Sequence, residues 1–407
     1  MTTGHRVGLW LIGACGSIGS SVALGLAAMR RGLCGHEGLV SQLPVFKGAD
    51  LVPLEAIVFG GHEVRDVTLV DAIQESHARA ALFDADLMHP CADDLTAMHA
   101  AVRGGSVLGA TPAVRVMLDQ SAVRPQARNI ELTPRDAVNR LADDLRRFRA
   151  DHGLAHVVVI NVSSCESNHE ASEALHGRGE LDAILASRSE GVLTTSSIYA
   201  LAAVEAGCAY VNFTPSLGIS APAIRARADE RGVPYMGCDG KTGETLVKSV
   251  LAPMFALRNL KVLSWVGHNI LGNRDGQVLA DARTRAAKIK SKDSTISDVV
   301  GYKPATHTSI EFIPSLDDWK VAWDFIHFQG FLGTKMNMQF TWQGSDSMLA
   351  APLVIDLARF AELELRRGAG GPMKHLACFF KSPMDVAERD YFTQWTRLVR
   401  HVGGAMD

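Results

Sequence analysis

Apolar positions in the first half of the chain come in short continuous runs, each followed by a turn residue and then by helical spacing. Val7-Gly-Leu-Trp-Leu-Ile12 is the first such run. It leads directly into Gly13-Ala-Cys-Gly16-Ser-Ile-Gly19 and a small, apolar helix over 22–29. Residues 51–59, 156–162, 209–214 and 233–237 read as further strands, since a strand buried on both faces of a parallel sheet shows no polar alternation. Helices are expected between them. Thr133-Pro134-Arg135-Asp136 opens one, with Thr133 as N-cap, Pro134 at the first helical position and Asp136 at the positive end of the dipole. Residues 197–206, stopped by Gly207, and residues 222–231 supply two more. This alternation predicts an α/β fold built on a Rossmann-type doubly wound parallel sheet.

The pattern changes after residue 241. A helix over 245–257 is followed by strands at 262–265, 308–313, 322–330 and 337–342 without regular helical crossovers. That predicts an inserted α+β unit with a mixed or antiparallel sheet. A long helix over 350–366 then returns the chain to the first domain. The expected division is 1–241, 242–345 and 346–407.

Composition narrows the partners more than the fold. The 407 residues carry 41 Lys and Arg against 44 Asp and Glu, a formal charge of −3. That balance argues against nucleic acid, because neutralising phosphates takes a surplus of basic residues. No apolar run reaches bilayer-spanning length, so no membrane partner is expected. The first residues lack the charged-then-apolar order of a signal peptide. Seven scattered cysteines without a Cys-x-x-Cys pair fit reduced thiols in a cytoplasmic enzyme.

Strand, glycine turn and helix opening around 13–19 form a phosphate-cradling unit. The spacing is G-x-x-G-x-x-G, which a tight packing turn also uses. Lys288, Lys290 and Lys292 lie in Arg285-Ala-Ala-Lys-Ile-Lys-Ser-Lys-Asp293. On a helix Lys288 and Lys292 share a face, and a solvated basic face is the plain alternative. Lys381 closes the apolar run Leu376-Ala-Cys-Phe-Phe380. That places it where a buried strand opens at its carboxyl edge, the edge at which open α/β sheets bind ligands; a snorkelling lysine is the competing reading. Asp239-Gly-Lys-Thr-Gly-Glu-Thr245 stands between a strand and a helix, so its N–H groups can hold a phosphate or cofactor. It is not a nucleotide P-loop, which needs glycine where the chain has Tyr235. Leu271-Gly-Asn-Arg-Asp-Gly276 has turn chemistry around Asp275, and the histidines show no metal-ligand spacing.

Together these segments resemble the myo-inositol-1-phosphate synthase family, its archaeal and bacterial branch most closely. The resemblance covers almost the whole chain. It is carried by Gly38-Leu-Val-Ser-Gln-Leu-Pro44, Phe59-Gly-Gly-His-Glu63, Asn161-Val-Ser-Ser164, Asn212-Phe-Thr-Pro-Ser216, the stretch from Asp239 to Lys248, Asn269-Ile-Leu-Gly272, Phe331-Leu-Gly333 and Phe379-Phe-Lys-Ser-Pro-Met-Asp385.

The resemblance implies an NAD-dependent isomerase (an intramolecular lyase) acting on a sugar 6-phosphate. Glucose 6-phosphate is oxidised at C5, loses a proton from C6, closes its ring by an aldol step between C6 and C1, and is reduced again. The family's four active-site lysines fall on Lys288, Lys292, Lys320 and Lys381, and its carboxylates on Asp239, Asp275 and Asp346. Lys288 is expected to serve proton transfer at the C5 oxygen, and the other three to stabilise the enolate, O1 or the phosphate. NAD is expected against Gly13, Ala14, Cys15, Gly16, Ser17 and Ile18, with Asp239 beside it. Glu63 is the candidate for the ribose hydroxyls, because no acidic residue follows the segment Gly38-Leu-Val-Ser-Gln42, taken as the second strand. Ser216, Gly218, Lys241, Asn269 and Leu271 are the expected substrate contacts. The resemblance also implies a homotetramer formed through the second domain, and a divalent or monovalent cation whose ligands stay unassigned.

Departures from the family pattern bear on the substrate. Cys165 and Ser167 replace Thr and Pro, Leu217 replaces a proline, Gly267-His268 replaces Ser-Tyr, and Gln343-Gly344 replaces Asp-Ala. A relative that makes five-membered cyclitol phosphates from fructose 6-phosphate by the same logic is therefore the alternative. A dehydrogenase that releases NADH, or a catalytically inactive NAD-binding regulator, fits the lysines less well.

Overall fold

Six strands realise the expected parallel sheet: β1 (Val7–Ile12), β2 (Ile57–Glu63), β3 (Val102–Gly104), β4 (His156–Asn161), β5 (Ala209–Asn212) and β6 (Pro234–Gly237). The computed structural model describes residues 5–110, 112–119, 122–128, 133–166, 175–187, 193–272 and 296–404. The strands lie in the order β3-β2-β1-β4-β5-β6, every neighbouring pair parallel. This is the Rossmann order, and it reverses between β1 and β4, so a crevice opens at their carboxyl ends. Register is in step there: Ile12 pairs with both His62 and Asn161. Glu63 and Asn161 therefore end their strands on either side of the glycine turn.

Helices cover both faces. Two apolar clusters, one on each side of the sheet, bury the alternate residues of β1 (Leu9 and Leu11 against Trp10 and Ile12). On one face lie α1 (Ser17–Arg30) and a later helix described below; on the other, α2 (Pro134–Asp151) packs on α3 (Thr195–Glu205). Thr133 caps α2 as expected, its side chain accepting from the Asp136 N–H at 3.2 Å.

After β6 the chain forms α4 (Gly243–Leu257) and a second sheet of β7 (Lys261–Leu271), β8 (Ala305–Phe312), β9 (Trp319–Gln329) and β10 (Lys335–Ser345). The order is β10-β9-β7-β8, with antiparallel pairs except β7 with β8. Then α5 (Asp346–Arg366), capped by Ser345, crosses back to pack on α1 and beneath β4. A last short strand, β11 (Gly371–Pro372), adds to β6 in parallel, and α6 (Tyr391–Val402) follows. Among the described residues no helix is long and apolar enough to cross a membrane.

Three expectations are corrected. The strand expected at 51–59 starts at Ile57 and runs to Glu63, because Leu54–Ala56 behind Pro53 coil into a 3-10 turn. The segment ending at Gln42 is not the second strand. Val40–Gln42 is a 3-10 turn whose N–H groups at Val40 and Ser41 donate to Asp356 of α5 at 2.6 and 3.0 Å. The buried run before Lys381 is a 3-10 helix, Lys374–Phe379, rather than a strand. Apolar on every side, it gives no periodicity by which the two can be told apart.

Candidate active site

The glycine turn is shaped to receive a phosphate. Gly13 adopts φ +88°, and a Cβ there would stand 3.1 Å from the Ser163 Cα of the loop after β4. A Cβ at Gly19 would come within 2.4 Å of the Ala14 carbonyl oxygen, so Gly19 serves close packing of α1 on the turn. Gly16 stands at the N-cap of α1 and offers no side-chain hydrogen bond. The N–H groups that open α1 are thus left for an anion, with Ser17 exposed beside them. Ala14 and Cys15 are buried, and burial followed by the Glu63 charge pushes the Cys15 thiol up to about 12. Their N–H groups are already taken, Ala14 by the His62 carbonyl at 3.1 Å and Cys15 by the Glu63 carboxylate. These features fit the pyrophosphate of a dinucleotide.

Glu63 does end the second strand of the sheet, 4% exposed. One oxygen accepts from the Cys15 N–H at 2.9 Å and the other from the Val64 and Arg65 N–H groups, each at 2.9 Å. The Arg65 guanidinium in turn donates to the Cys15 carbonyl. The acidic residue and its neighbour thus grip both ends of one residue inside the glycine turn. Glu63→Ala leaves the buried Cys15 N–H without its acceptor, at a cost of about 1–3 kcal/mol, and frees the part-buried Val64 and Arg65 N–H groups. The expected result is an NAD dissociation constant raised roughly tenfold or more, measured by calorimetric titration. Unchanged affinity would remove Glu63 from the cofactor site.

Beyond the crevice, the carboxyl ends of β4, β5 and β6 carry a buried polar network. Asn161 donates to Asn212 and Thr214 at 3.3 Å each, and the Asn212 side chain accepts from the Thr214 hydroxyl at 2.8 Å. Asn212 donates to the Ser216 carbonyl at 2.6 Å, and Ser216 Oγ accepts from the Glu166 N–H at 3.0 Å. Gly218, at φ +51°, bonds through its N–H and carbonyl to Ser196 and Ser197. Ser216 and Gly218 are therefore buried within their own loop. The sequence signal for this network is a polar residue, Asn161 or Asn212, closing an apolar, β-branched run.

The loop after β6 carries the cations. Asp239, with φ +62°, is 7% exposed and accepts from Lys381 Nζ at 2.9 Å. The backbones of the two residues also join, Lys381 N–H to the Asp239 carbonyl at 2.8 Å, so a different element delivers Lys381 to the expected strand edge. Lys241 is 6% exposed, its Nζ 5.5 Å from the Tyr391 ring centroid. Burial first, with the Arg389 and Lys381 charges adding, pulls its ammonium down to about 8. Helix α4 starts two residues later, and the side chain of its N-cap Thr242 makes no capping bond.

From the second sheet, Lys320 on β9 sets its Nζ 3.8 Å from Asp346 Oδ2 at the start of α5. Asn269 on β7 is fully buried, and neither atom of its amide has a hydrogen-bond partner. An unpaired buried amide is costly, and a ligand is one way to satisfy it. It lies on the same face of β7 as Gly267 and Leu271, against α4, whereas His268 points to the opposite face and stacks on Trp323 at 5.7 Å. Leu271 packs with Ile310. Lys288, Lys292 and Asp275 lie outside the described residues. The structure thus brings Asp239, Lys241 and Lys381 together, and pairs Lys320 with Asp346.

Strand order, open glycine turn and lysine–aspartate pairs define the class: a Rossmann-type, dinucleotide-binding enzyme with cations at the strand ends. A model of an NAD-binding family, described as myo-inositol-1-phosphate synthase, matches residues 7–402. Inositol-3-phosphate synthase 1 of Bacteroides thetaiotaomicron is 31% identical over 422 aligned positions, covering 97% of this chain and 94% of that one. The crystal structure of inositol-3-phosphate synthase from Caenorhabditis elegans superposes with a TM-score of 0.84 at 22% identity, over 98% of this chain and 86% of that one. A myo-inositol-1-phosphate synthase-related protein from Thermotoga maritima gives 0.78 at 21%, over 99% and 100%. At those identities the two structures show the fold. The chain belongs to the myo-inositol-1-phosphate synthase family, and is an enzyme of its isomerase class.

Proposed function

We propose that the protein converts glucose 6-phosphate to myo-inositol 1-phosphate, with NAD regenerated in each turnover. The observation that carries this reading is the set of cations, with Lys381 and the buried Lys241 beyond the carboxyl end of β6 and Lys320 at the amino end of β9, Lys381 and Lys320 each paired with an aspartate. NAD, held by the turn at 13–19 and by Asp239, supplies the acceptor and later the donor of the C5 hydride. The chain does the rest. Lys381 and Lys320 stabilise the negative charge that develops on substrate oxygens as the C6 proton leaves and as O1 forms on ring closure. Asp239 and Asp346 hold these ammonium groups in position. Asn269 offers its amide to a substrate hydroxyl, and Lys288 and Lys292 complete the cationic set. Lys241, with Arg389 nearby, binds the phosphate beside the uncapped end of α4.

The discriminating experiment incubates the protein with NAD and uniformly ¹³C-labelled glucose 6-phosphate or fructose 6-phosphate and reads the products by carbon NMR. A six-membered inositol phosphate from glucose 6-phosphate is expected. A five-membered cyclitol phosphate from fructose 6-phosphate would overturn the substrate but keep the site. Two of the sequence departures nearest the site, Leu217 and Cys165, are buried in the protein at 6% and 2% exposure.

Lys241 gives this reading a pH signature. Its folded value of about 8 lies below the ordinary lysine value of 10.5, so it loses its charge as pH rises through about 8. If that charge binds the phosphate, kcat/KM falls above about pH 8, and Lys241→Arg, which stays protonated, removes that alkaline limb. The folded protein binds fewer protons here than the unfolded chain between about 8 and 10.5, so this residue's contribution to stability rises with pH across that window. A flat kcat/KM profile would exclude Lys241 from phosphate binding.

The second sheet is the proposed tetramer surface. Its β9–β10 turn exposes Phe331 and Leu332 at 86% and 87%, and its outer face carries Trp323 stacked between His268 and Phe325.

A further inference from the structure

Among the described residues, two groups of side chains bring two histidines and a glutamate within metal-binding reach, and both use α5. One is His5, His156 and Glu362; the other is Glu364, His375 and His401. Their geometries differ in a way that separates them.

In the first group the two imidazoles converge. His5 Nε2 lies 2.6 Å and His156 Nδ1 3.2 Å from the same oxygen, Glu362 Oε1. The ring planes cross at 70° with centroids 5.6 Å apart, so their in-plane nitrogens aim at one point from two directions. All three donor atoms lie within 4.8 Å of one another. Tetrahedral zinc, with bonds of about 2.0–2.1 Å, separates its ligand atoms by roughly 3.3 Å, so small side-chain shifts suffice. The carboxylate is fully buried; its other oxygen makes no hydrogen bond and has Arg366 Nη2 3.4 Å away as an ion-pair neighbour, which leaves Oε1 for an ion. The side chains of His5 and His156 are 37% and 25% exposed, so water can reach a fourth position.

The second group lacks this geometry. The His375 and His401 rings stack in near-parallel planes, 3.8 Å and 6° apart, so their lone pairs run side by side. Arg367 also sits 3.4 Å from Glu364 Oε1, the oxygen that faces His401.

We propose that His5, His156 and Glu362 form a binding site for a divalent transition-metal ion, with two imidazoles and one carboxylate selecting zinc. On binding, each ligating nitrogen presents its lone pair and its ring keeps its proton on the other nitrogen. The site lies at the amino end of the parallel sheet, since His5 precedes β1 and His156 opens β4. With about 3.3 Å per strand residue, the six residues of β1 put roughly 20 Å between it and the glycine turn. Its role is to tie three stretches distant in sequence, at residues 5, 156 and 362, rather than to act on substrate.

The test uses tag-free, full-length protein stripped with a chelator and titrated with Co²⁺, then Zn²⁺. One Co²⁺ per chain should bind with the intense visible bands of a four-coordinate ion, and Zn²⁺ should displace it. Excess Zn²⁺ should raise the thermal midpoint by mass action. His5→Asn and His156→Asn should each weaken Co²⁺ binding at least about tenfold, with cyclisation activity unchanged. His401→Asn should leave binding as it was. Absence of the four-coordinate bands overturns the proposal. So do bands of undiminished strength in His156→Asn, which would place the ion elsewhere, the active site included.

Discussion

Replacing Lys381 with alanine lowers the rate of cyclisation by at least about a hundredfold and leaves the protein folded, because removing one donor from a site that stabilises developing charge costs about 10²–10³ in rate. The Lys381 N–H donates to the Asp239 carbonyl and its ammonium to the Asp239 carboxylate at 2.9 Å, with only 11% of its side chain exposed. Such a group is preorganised, so it adds charge stabilisation without reorganising at the moment of reaction. Two controls separate chemistry from structure. Asp239→Asn keeps the shape but loosens the lysine, so turnover falls by less than in Lys381→Ala. The double variant falls no further than the worse single one, since the pair acts as a unit. Lys381→Arg stays charged but spreads that charge over a larger planar group, and it fails to restore the rate. Thermal midpoints of all variants should stay within a few degrees of the parent. A Lys381→Ala enzyme with near-normal turnover would remove this residue from the mechanism and weaken the function proposed here.

How much of this was legible beforehand depends on which physical signal each element gives. β4 and α2 were readable because a β-branched run and a Thr-Pro-x-Asp cap each have a local cause. The second strand was misplaced because residues 38–56 form an excursion of turns, fixed not by local propensity but by the Asp356 carboxylate of α5, more than 300 positions away in sequence. Once that excursion is removed, Glu63 stands where a Rossmann sheet places its acidic residue. Lys381 reached the expected edge although its supporting element is a 3-10 helix, because the Gly240–Phe380 bridge, not the element type, sets its place. The polar ends of β4 and β5 were visible as Asn161 and Asn212, but their mutual bonding crosses strands and leaves no trace in spacing. The same is true of the charge cluster around Lys248, which had been read only as part of a family motif.

That cluster carries the other large expected effect. Lys248 is 2% exposed, with its Nζ 2.5 Å from Glu244 Oε1 and 3.4 Å from Asp324 Oδ1, and Trp265 donates to the same Asp324 oxygen at 2.7 Å. One buried cation thus serves two buried carboxylates. Burial, with the Glu244 charge adding and Lys248 opposing, raises the Asp324 carboxyl. Gly267 makes the room: a Cβ there would stand 2.8 Å from both Glu244 Oε1 and Lys248 Nζ. Lys248→Met removes the one cation that the described residues place between Glu244 and Asp324, so a loss of about 3–5 kcal/mol in urea unfolding is expected. The sign of its pH dependence follows. Without Lys248 the Asp324 carboxyl is raised further, the folded state holds more protons than the unfolded chain above the ordinary carboxylate range, and stability falls as pH rises. The variant should therefore be weakest near neutral pH and recover toward acid. Adding Glu244→Gln and Asp324→Asn should restore most of the loss, because a neutral trio no longer buries unpaired charge. Since Glu244 lies in the first turn of α4, directly after the Asp239–Lys241 loop, the single variant should also raise KM for the sugar phosphate. A Lys248→Met protein as stable as the parent at pH 7 would mean that both carboxyls are already protonated there, and the cluster would then be a hydrogen-bonded rather than an ionic lock.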